Sequence, residues 1–156
     1  MKYLRKYNES FKIGDIKIQK IKIEDIDVVV DMASHIFSNL MSYDDNQDYI
    51  RSIVDFDISC KLTNNGDIIG FYLLSHKKIK DKSGLEGVAL GLKKEYRGNG
   101  LGDKLKDWFE NYAKDNGYDF IFGQHLKGLN NIDSWLKRRE LYKEDKHSYY
   151  TIKYLK

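Results

Sequence analysis

Leu90-Gly91-Leu92-Lys93-Lys94-Glu95-Tyr96-Arg97-Gly98-Asn99-Gly100-Leu101-Gly102-Asp103-Lys104-Leu105 joins a short apolar strand to a helix through a turn with glycines at alternate positions. The helix is read from Leu101, Leu105, Trp108, Phe109 and Tyr112, which recur at helical spacing, and Asn116-Gly117 ends it. The first amide N–H groups of a helix lack intrahelical partners and point into the preceding turn. Glycines let that turn curl without Cβ clashes, and the helix dipole adds positive potential, so the turn is built to hold an anion such as a phosphate. Arg97 can add charge-assisted bonds. A dinucleotide loop would place its third glycine where Asp103 stands, and a Walker loop would follow Gly102 with a lysine and a hydroxyl; neither pattern fits. A turn of purely structural purpose is the remaining alternative.

Upstream of the turn, residues 84–92 read as a strand with Glu86, Val88, Leu90 and Leu92 on one face and the small residues Gly87, Ala89 and Gly91 on the other, where something could approach closely. Residues 68–76 are apolar on both faces and predict a central strand, with 77–83 as a polar turn. Phe56, Ile58, Cys60 and Leu62 alternate into the hairpin signal Asn64-Asn65-Gly66-Asp67. Earlier still come a strand at 16–20, a helix from Glu24 to about Leu40, and a second helix capped near Ser42 with Tyr49, Ile50, Ile53 and Val54 as its stripe. Downstream, 118–123 predicts a strand, 132–139 a short helix, and 141–155 a hairpin turning near Asp145-Lys146.

The 156 residues suit one domain over 1–156, and 41% hydrophobic with 33% charged residues is a globular composition. The longest apolar run, 68–74, is far short of the roughly 20 residues of a membrane-spanning helix. The basic start, residues 1–7, runs into Asn8, Glu9 and Ser10 rather than a signal peptide's apolar core, and Cys60 is alone. A cytoplasmic setting is the expectation. A net charge of +3 argues little for nucleic acid, and Lys137-Arg138-Arg139 is too short a basic run to change that. The charge is unevenly placed. Residues 44–57 carry Asp44, Asp45, Asp48, Asp55 and Asp57 against Arg51, whereas 93–106 carry Lys93, Lys94, Arg97, Lys104 and Lys106 against Glu95 and Asp103. His35, His76 and His147 show no metal-ligand spacing with each other or with Cys60, so no metal is expected.

The loop resembles the R-G-x-G-x-G/A signature of the Gcn5-related N-acetyltransferase (GNAT) superfamily. Leu90 and Leu92 before it, the acid-aromatic pair Glu95-Tyr96, and Leu101 and Leu105 after it also match, and 18–26 is similar to the family's first strand and helix start. The resemblance implies an α/β (α+β) fold with a mixed, mostly antiparallel sheet splayed into a V and flanked by about four helices. It implies acetyl-CoA as acyl donor, its pantetheine arm lying along Leu90, Gly91 and Leu92. Arg97, Gly98, Asn99, Gly100, Leu101 and Gly102 would cradle the pyrophosphate, Lys93, Lys94, Lys104 and Lys106 the outer phosphates, and Asn130 would touch the arm.

The implied activity is direct acetyl transfer to a primary amine, on a small molecule or a protein; the alternative is a weakly active or inactive CoA-binding regulator. Such transfer needs a base for the amine and a proton for the leaving thiolate. Glu86 is the candidate base. The family's acid is a tyrosine in the last helix, where this chain carries Leu136; Tyr142, Tyr149 and Tyr150 are substitutes, and His125 lies near the expected cleft. In this family the connection between the first two helices borders the acceptor, and the acidic, aromatic run 43–49 would suit a cationic amine. Oligomeric state, a homodimer included, is left open.

Overall fold

The computed structural model describes residues 13–39, 41–126, 142–144 and 148–155. In chain order they form β1 (Ile16–Lys20), a 3-10 turn (Ile23–Asp25), α1 (Ile26–Ile36), α2 (Tyr43–Ile53), β2 (Cys60–Asn64), β3 (Asp67–Ile79) and β4 (Lys82–Leu92). A second 3-10 turn (Lys94–Tyr96), α3 (Leu101–Asp115), β5 (Phe120–Leu126), β6 (Tyr142–Glu144) and β7 (Ser148–Tyr154) follow. The strands make one seven-stranded sheet in the order β1-β2-β3-β4-β5-β7-β6. Every pairing is antiparallel except β4 with β5, where the connection crosses over through α3.

The sheet has a buried cluster on each face. On one side Val29, Val30 and Ala33 of α1 and Ile50 of α2 pack on Phe71, Leu73 and Ala89. On the other, Leu101, Leu105, Phe109 and Ala113 of α3 pack on Tyr72, Leu74 and Leu85. Leu101, Leu105 and Phe109 of α3 and Ile50 of α2 are buried where the helical spacing predicted, whereas Tyr49, expected on the α2 stripe, is exposed. Asn46 is buried at the start of α2 and its amide donates to the carbonyls of Ser34, Phe37 and Met41, at 3.4, 3.1 and 2.9 Å. One side chain therefore reaches the Ser34 and Phe37 carbonyls at the end of α1 and the Met41 carbonyl just before α2, and fixes the connection between the two helices. At the opposite end of α1, Lys61 meets Asp25 at 2.6 Å with both side chains largely shielded.

Several expected boundaries move. The first helix divides into a 3-10 turn and α1, which stops at Ile36. Residues 56–58 form a turn rather than strand, because Asp57 N–H bonds the Asp55 carboxylate and Ser59 Oγ bonds the Asp55 carbonyl. The polar stretch 77–83 is mostly strand: β3 and β4 pair out to Ile79 and Lys82, leaving only Lys80 and Asp81 as the turn, with Lys80 at φ 57°. This end carries polar side chains because it extends past the cluster under α1 and α2, not because the chain turns early. The expected helix at 132–139 lies outside the described residues, as does the turn at 145–146.

The main event is in β4. Leu73 pairs with Ala89 and Leu74 with Gly87, so Val88 is an extra residue, a β-bulge. A bulge reverses which face successive side chains point to. Glu86 and Val88 lie on the α1–α2 face, but Leu90 and Leu92 lie on the α3 face with Tyr72. The expectation that all four share a face is therefore corrected. The small residues are also split, and side chains of the protein fill the space beside them. A Cβ on Gly87 would come within 2.4 Å of the Tyr72 hydroxyl, and one on Gly91 within 2.4 Å of the Phe71 ring.

Candidate active site

β4 and β5 are paired only between 84–87 and 120–123, ending with Gly87 opposite Gly123. Beyond that rung β5 continues with β7 as far as Leu126, while 89–92 pair, among the described residues, with β3 alone. The two parallel strands part where the bulge at Val88 bends β4, which opens the sheet into a V. On β4, Lys93 N–H bonds Ile69 O of β3, while the Leu92 carbonyl accepts from Arg97 Nε at 3.1 Å. Main-chain groups alternate sides along an antiparallel strand. Those of Leu90 and Leu92 therefore face the open edge, and those of Gly91 face β3.

The glycine turn lies at the mouth of this V. Gly98 and Gly100 have φ of 80° and 76°, left-handed conformations that only glycine adopts at no cost. Gly100 is the N-cap of α3, whose first intrahelical bond is Lys104 N–H to Gly100 O. Leu101 and Gly102 stand in the first turn ahead of it, where a helix's N–H groups have no carbonyl four residues back to bond. Side chains hold the turn in shape. Asn99 Nδ2 donates to the Tyr96 and Arg97 carbonyls at 3.3 and 3.4 Å, and Tyr96 Oη accepts from Asn64 at 3.2 Å. Asn99 thus braces the loop with its side chain. Leu101 is buried beneath the turn, and a Cβ at Gly102 would meet nothing within 4 Å.

Arg97 is exposed and, among the described residues, has no carboxylate within 4 Å. With Nε on Leu92 O, its remaining guanidinium donors are available to an anion. Lys93, Lys94 and Lys104 are exposed around the turn. Lys106 differs, standing half-buried with its ammonium 5.5 Å from the Tyr72 ring centre and 5.6 Å from that of Phe109.

Glu86 is half-buried on the α1–α2 face, one rung before the strands part, between Ser75 of β3 and Phe122 of β5. Among the described residues it has no ion-pair partner within 4 Å. Tyr150 of β7 is on the same side, its ring 6.2 Å from that of Phe122. Lys77 completes the group, its ammonium 4.5 Å from the Phe122 ring centre. Sequence reasoning missed Lys77 and Phe122; the alternation from Leu73 through Ser75 to Lys77 was the available signal, hidden by reading 77–83 as a turn.

His125 is in β5 beyond the last rung shared with β4, paired through the backbone with Tyr149, and Tyr142 starts β6. Asn130 and Leu136 lie outside the described residues. Cys60 opens β2 and is buried in the cluster beneath α3, and burial pushes its thiol up to about 12, so it offers no thiolate. Among the described residues no group of three or more His, Cys, Asp or Glu could hold a metal ion. No described helix is long and apolar enough to cross a membrane.

The sequence profile of the acetyltransferase (GNAT) family matches residues 31–143. Comparison with curated proteins gives no match. Solved structures share the fold. A PaiA N-acetyltransferase from Thermoplasma acidophilum, in complex with coenzyme A, superposes with a TM-score of 0.67 at 19% identity, covering 90% of this chain and 99% of its own. An acetyltransferase of the GNAT family from Staphylococcus aureus Mu50 gives 0.69 at 18% identity, covering 91% and 100%. Arabidopsis thaliana Naa50, in complex with the bisubstrate analogue CoA-Ac-MVNAL, gives 0.65 at 12% identity, covering 88% and 97%.

Proposed function

The chain belongs to the GNAT acetyltransferase family, and from that premise we propose that it is an N-acetyltransferase that uses acetyl-CoA to acetylate a primary amine by direct transfer. The observation that carries this reading is the glycine turn at the N-terminus of α3 set at the mouth of the parting strands. In this reading the pyrophosphate sits on the N–H groups of the turn, with Arg97 alongside. The pantetheine arm runs down the free edge of β4, bonding main-chain groups of Leu90 and the N–H of Leu92. That places the thioester near the bulge, within reach of Glu86.

The chemistry then follows from position. Glu86, free of an ion-pair partner among the described residues, takes the proton from the acceptor ammonium. The neutral amine attacks the thioester carbonyl, the C–N bond forms and the C–S bond breaks; the nitrogen gives up its second proton to solvent as the amide forms, and the departing thiolate takes a proton from a donor. Tyr150 is the assigned donor, since its ring is on the Glu86 side of the sheet next to Phe122. The reading contains no metal, and it treats residues 1–156 as one domain.

Release of free thiol from acetyl-CoA across a panel of primary amines tests the proposal. Turnover is expected in the native chain, with kcat reduced by about 100-fold or more in Glu86→Gln, as for loss of a general base. Coenzyme A should also raise the melting temperature by mass action. Absence of that stabilisation at millimolar coenzyme A would overturn the cofactor assignment; stabilisation with no turnover of any amine would leave a CoA-binding protein in place of an enzyme.

A further inference from the structure

The group around Glu86 also bears on which amine is accepted, an inference that rests on the acetyltransferase reading above. Ser75 is directly opposite Glu86 on β3, and Lys77 is two residues further along the same face. Diagonal neighbours of this kind have Cα atoms about 7–8 Å apart, well within the reach of a lysine and a glutamate. Yet the two charges do not pair within 4 Å. The Lys77 ammonium stands over the ring of Phe122, the residue facing Glu86 from β5. All three side chains are half-buried.

A cation and a carboxylate thus both neighbour one aromatic ring without pairing, in a partly desolvated place where each charge interacts more strongly than in water. A ligand carrying an ammonium at one end and a carboxylate at the other matches both poles. A diamine or polyamine would set a positive charge against Lys77, and a simple alkylamine would leave Lys77 without an anion. We propose that the acceptor is an amino carboxylate, its amine delivered to Glu86 and its carboxylate bound by Lys77, so that Lys77 is the specificity-determining residue. The acidic surface of α2, where Asp44, Asp45 and Asp48 are exposed, then lies outside the acceptor site.

The test uses the full chain with acetyl-CoA and three matched series: amino carboxylates with one to five methylenes between amine and carboxyl, their carboxamides, and diamines of equal length. Thiol release is expected to give kcat/KM at least tenfold higher for the best amino carboxylate than for its carboxamide or diamine. Lys77→Met, which keeps the apolar stem over Phe122, should bring that ratio close to one through KM, with kcat within about twofold. Lys77→Glu should reverse the preference in favour of diamines. Equal use of carboxamides or diamines by the native chain, or an unchanged preference in Lys77→Met, would overturn the proposal. Calorimetry separates it from the activity itself: amino carboxylates should bind the native chain in the presence of coenzyme A, and at least tenfold more weakly in Lys77→Met. Binding of this kind without thiol release would count against the enzyme reading and for the site. Release of thiol with no amino-carboxylate binding or preference would do the opposite.

Discussion

Gly100→Ala isolates the backbone conformation on which the cofactor reading depends. Gly100 has φ 76° and ψ 6° and caps α3, and a Cβ added there meets no atom within 4 Å. The substitution therefore adds no clash, and its cost is that of holding an L-residue in the left-handed region, about 1–2 kcal/mol. That cost has two places to appear. If the braces from Asn99 and Tyr96 keep the turn in its shape, the folded state bears the strain, and for a chain of this size the melting temperature falls by roughly 2–8 °C. If the turn relaxes, stability is retained and the N–H groups no longer converge, so coenzyme A binds roughly 5–30-fold more weakly. Paired thermal unfolding and calorimetric titration with coenzyme A read both, and the two losses should sum to the same 1–2 kcal/mol. Gly102→Ala is the control for the melting temperature only, since Gly102 is inside α3 with the same open surroundings, where alanine costs no strain and favours helix by up to about 1 kcal/mol. A Gly100→Ala chain with native melting temperature and native affinity would refute the reasoning.

Two further perturbations address the framework around the site. Asn46→Leu removes the donor shared by the carbonyls of Ser34, Phe37 and Met41, and should cost about 2–3 kcal/mol in urea unfolding with faster amide exchange between α1 and α2. Unchanged exchange there would show that the connection is held by something else. Lys61→Met should cost about 2–3 kcal/mol at pH 7, less than the ~3–5 of a fully buried pair because the Lys22 N–H stays on the Asp25 carboxylate. The Lys61 hydrogen bond is the main reason the Asp25 carboxyl is held below its ordinary 3.8. A carboxyl depressed in the folded state stabilises fully above its unfolded pKa and loses that contribution as pH falls through the lower folded value. The gap between native and Lys61→Met chains should accordingly be constant from pH 7 to about 5 and shrink below about 4; a gap independent of pH would contradict the assignment.

The parts of the fold legible in the sequence are those fixed by local chemistry. Alternate glycines before Leu101, the stripe from Leu101 to Tyr112 and the Asn65-Gly66 turn each determine their own backbone, and all three stand in the structure. The bulge at Val88 was not legible, because nothing in 84–92 distinguishes it from even alternation; it arises from the registers of β3 on one side and β5 on the other. Glu86 was therefore picked out by residue type but assigned to the face of Leu90 and Leu92, from which the bulge separates it. Lys77 and Phe122 meet only because three strands bring residues 77, 86 and 122 together, so no single segment announces them.

The parting of β4 and β5 has a consequence for the chain's behaviour in concentrated solution. Strand edges whose N–H and C=O groups lack a neighbour are templates for pairing with another chain, which natural proteins blunt with charge, proline or a covering element. Along 88–92 this chain offers Val88, Ala89, Leu90, Gly91 and Leu92, uncharged and without proline. A ligand that lays its own amides along that edge would occupy the template as well as serve the reaction. Cofactor supplied during expression and refolding should therefore suppress strand-mediated self-association, an effect separate from the stability it adds to the folded chain.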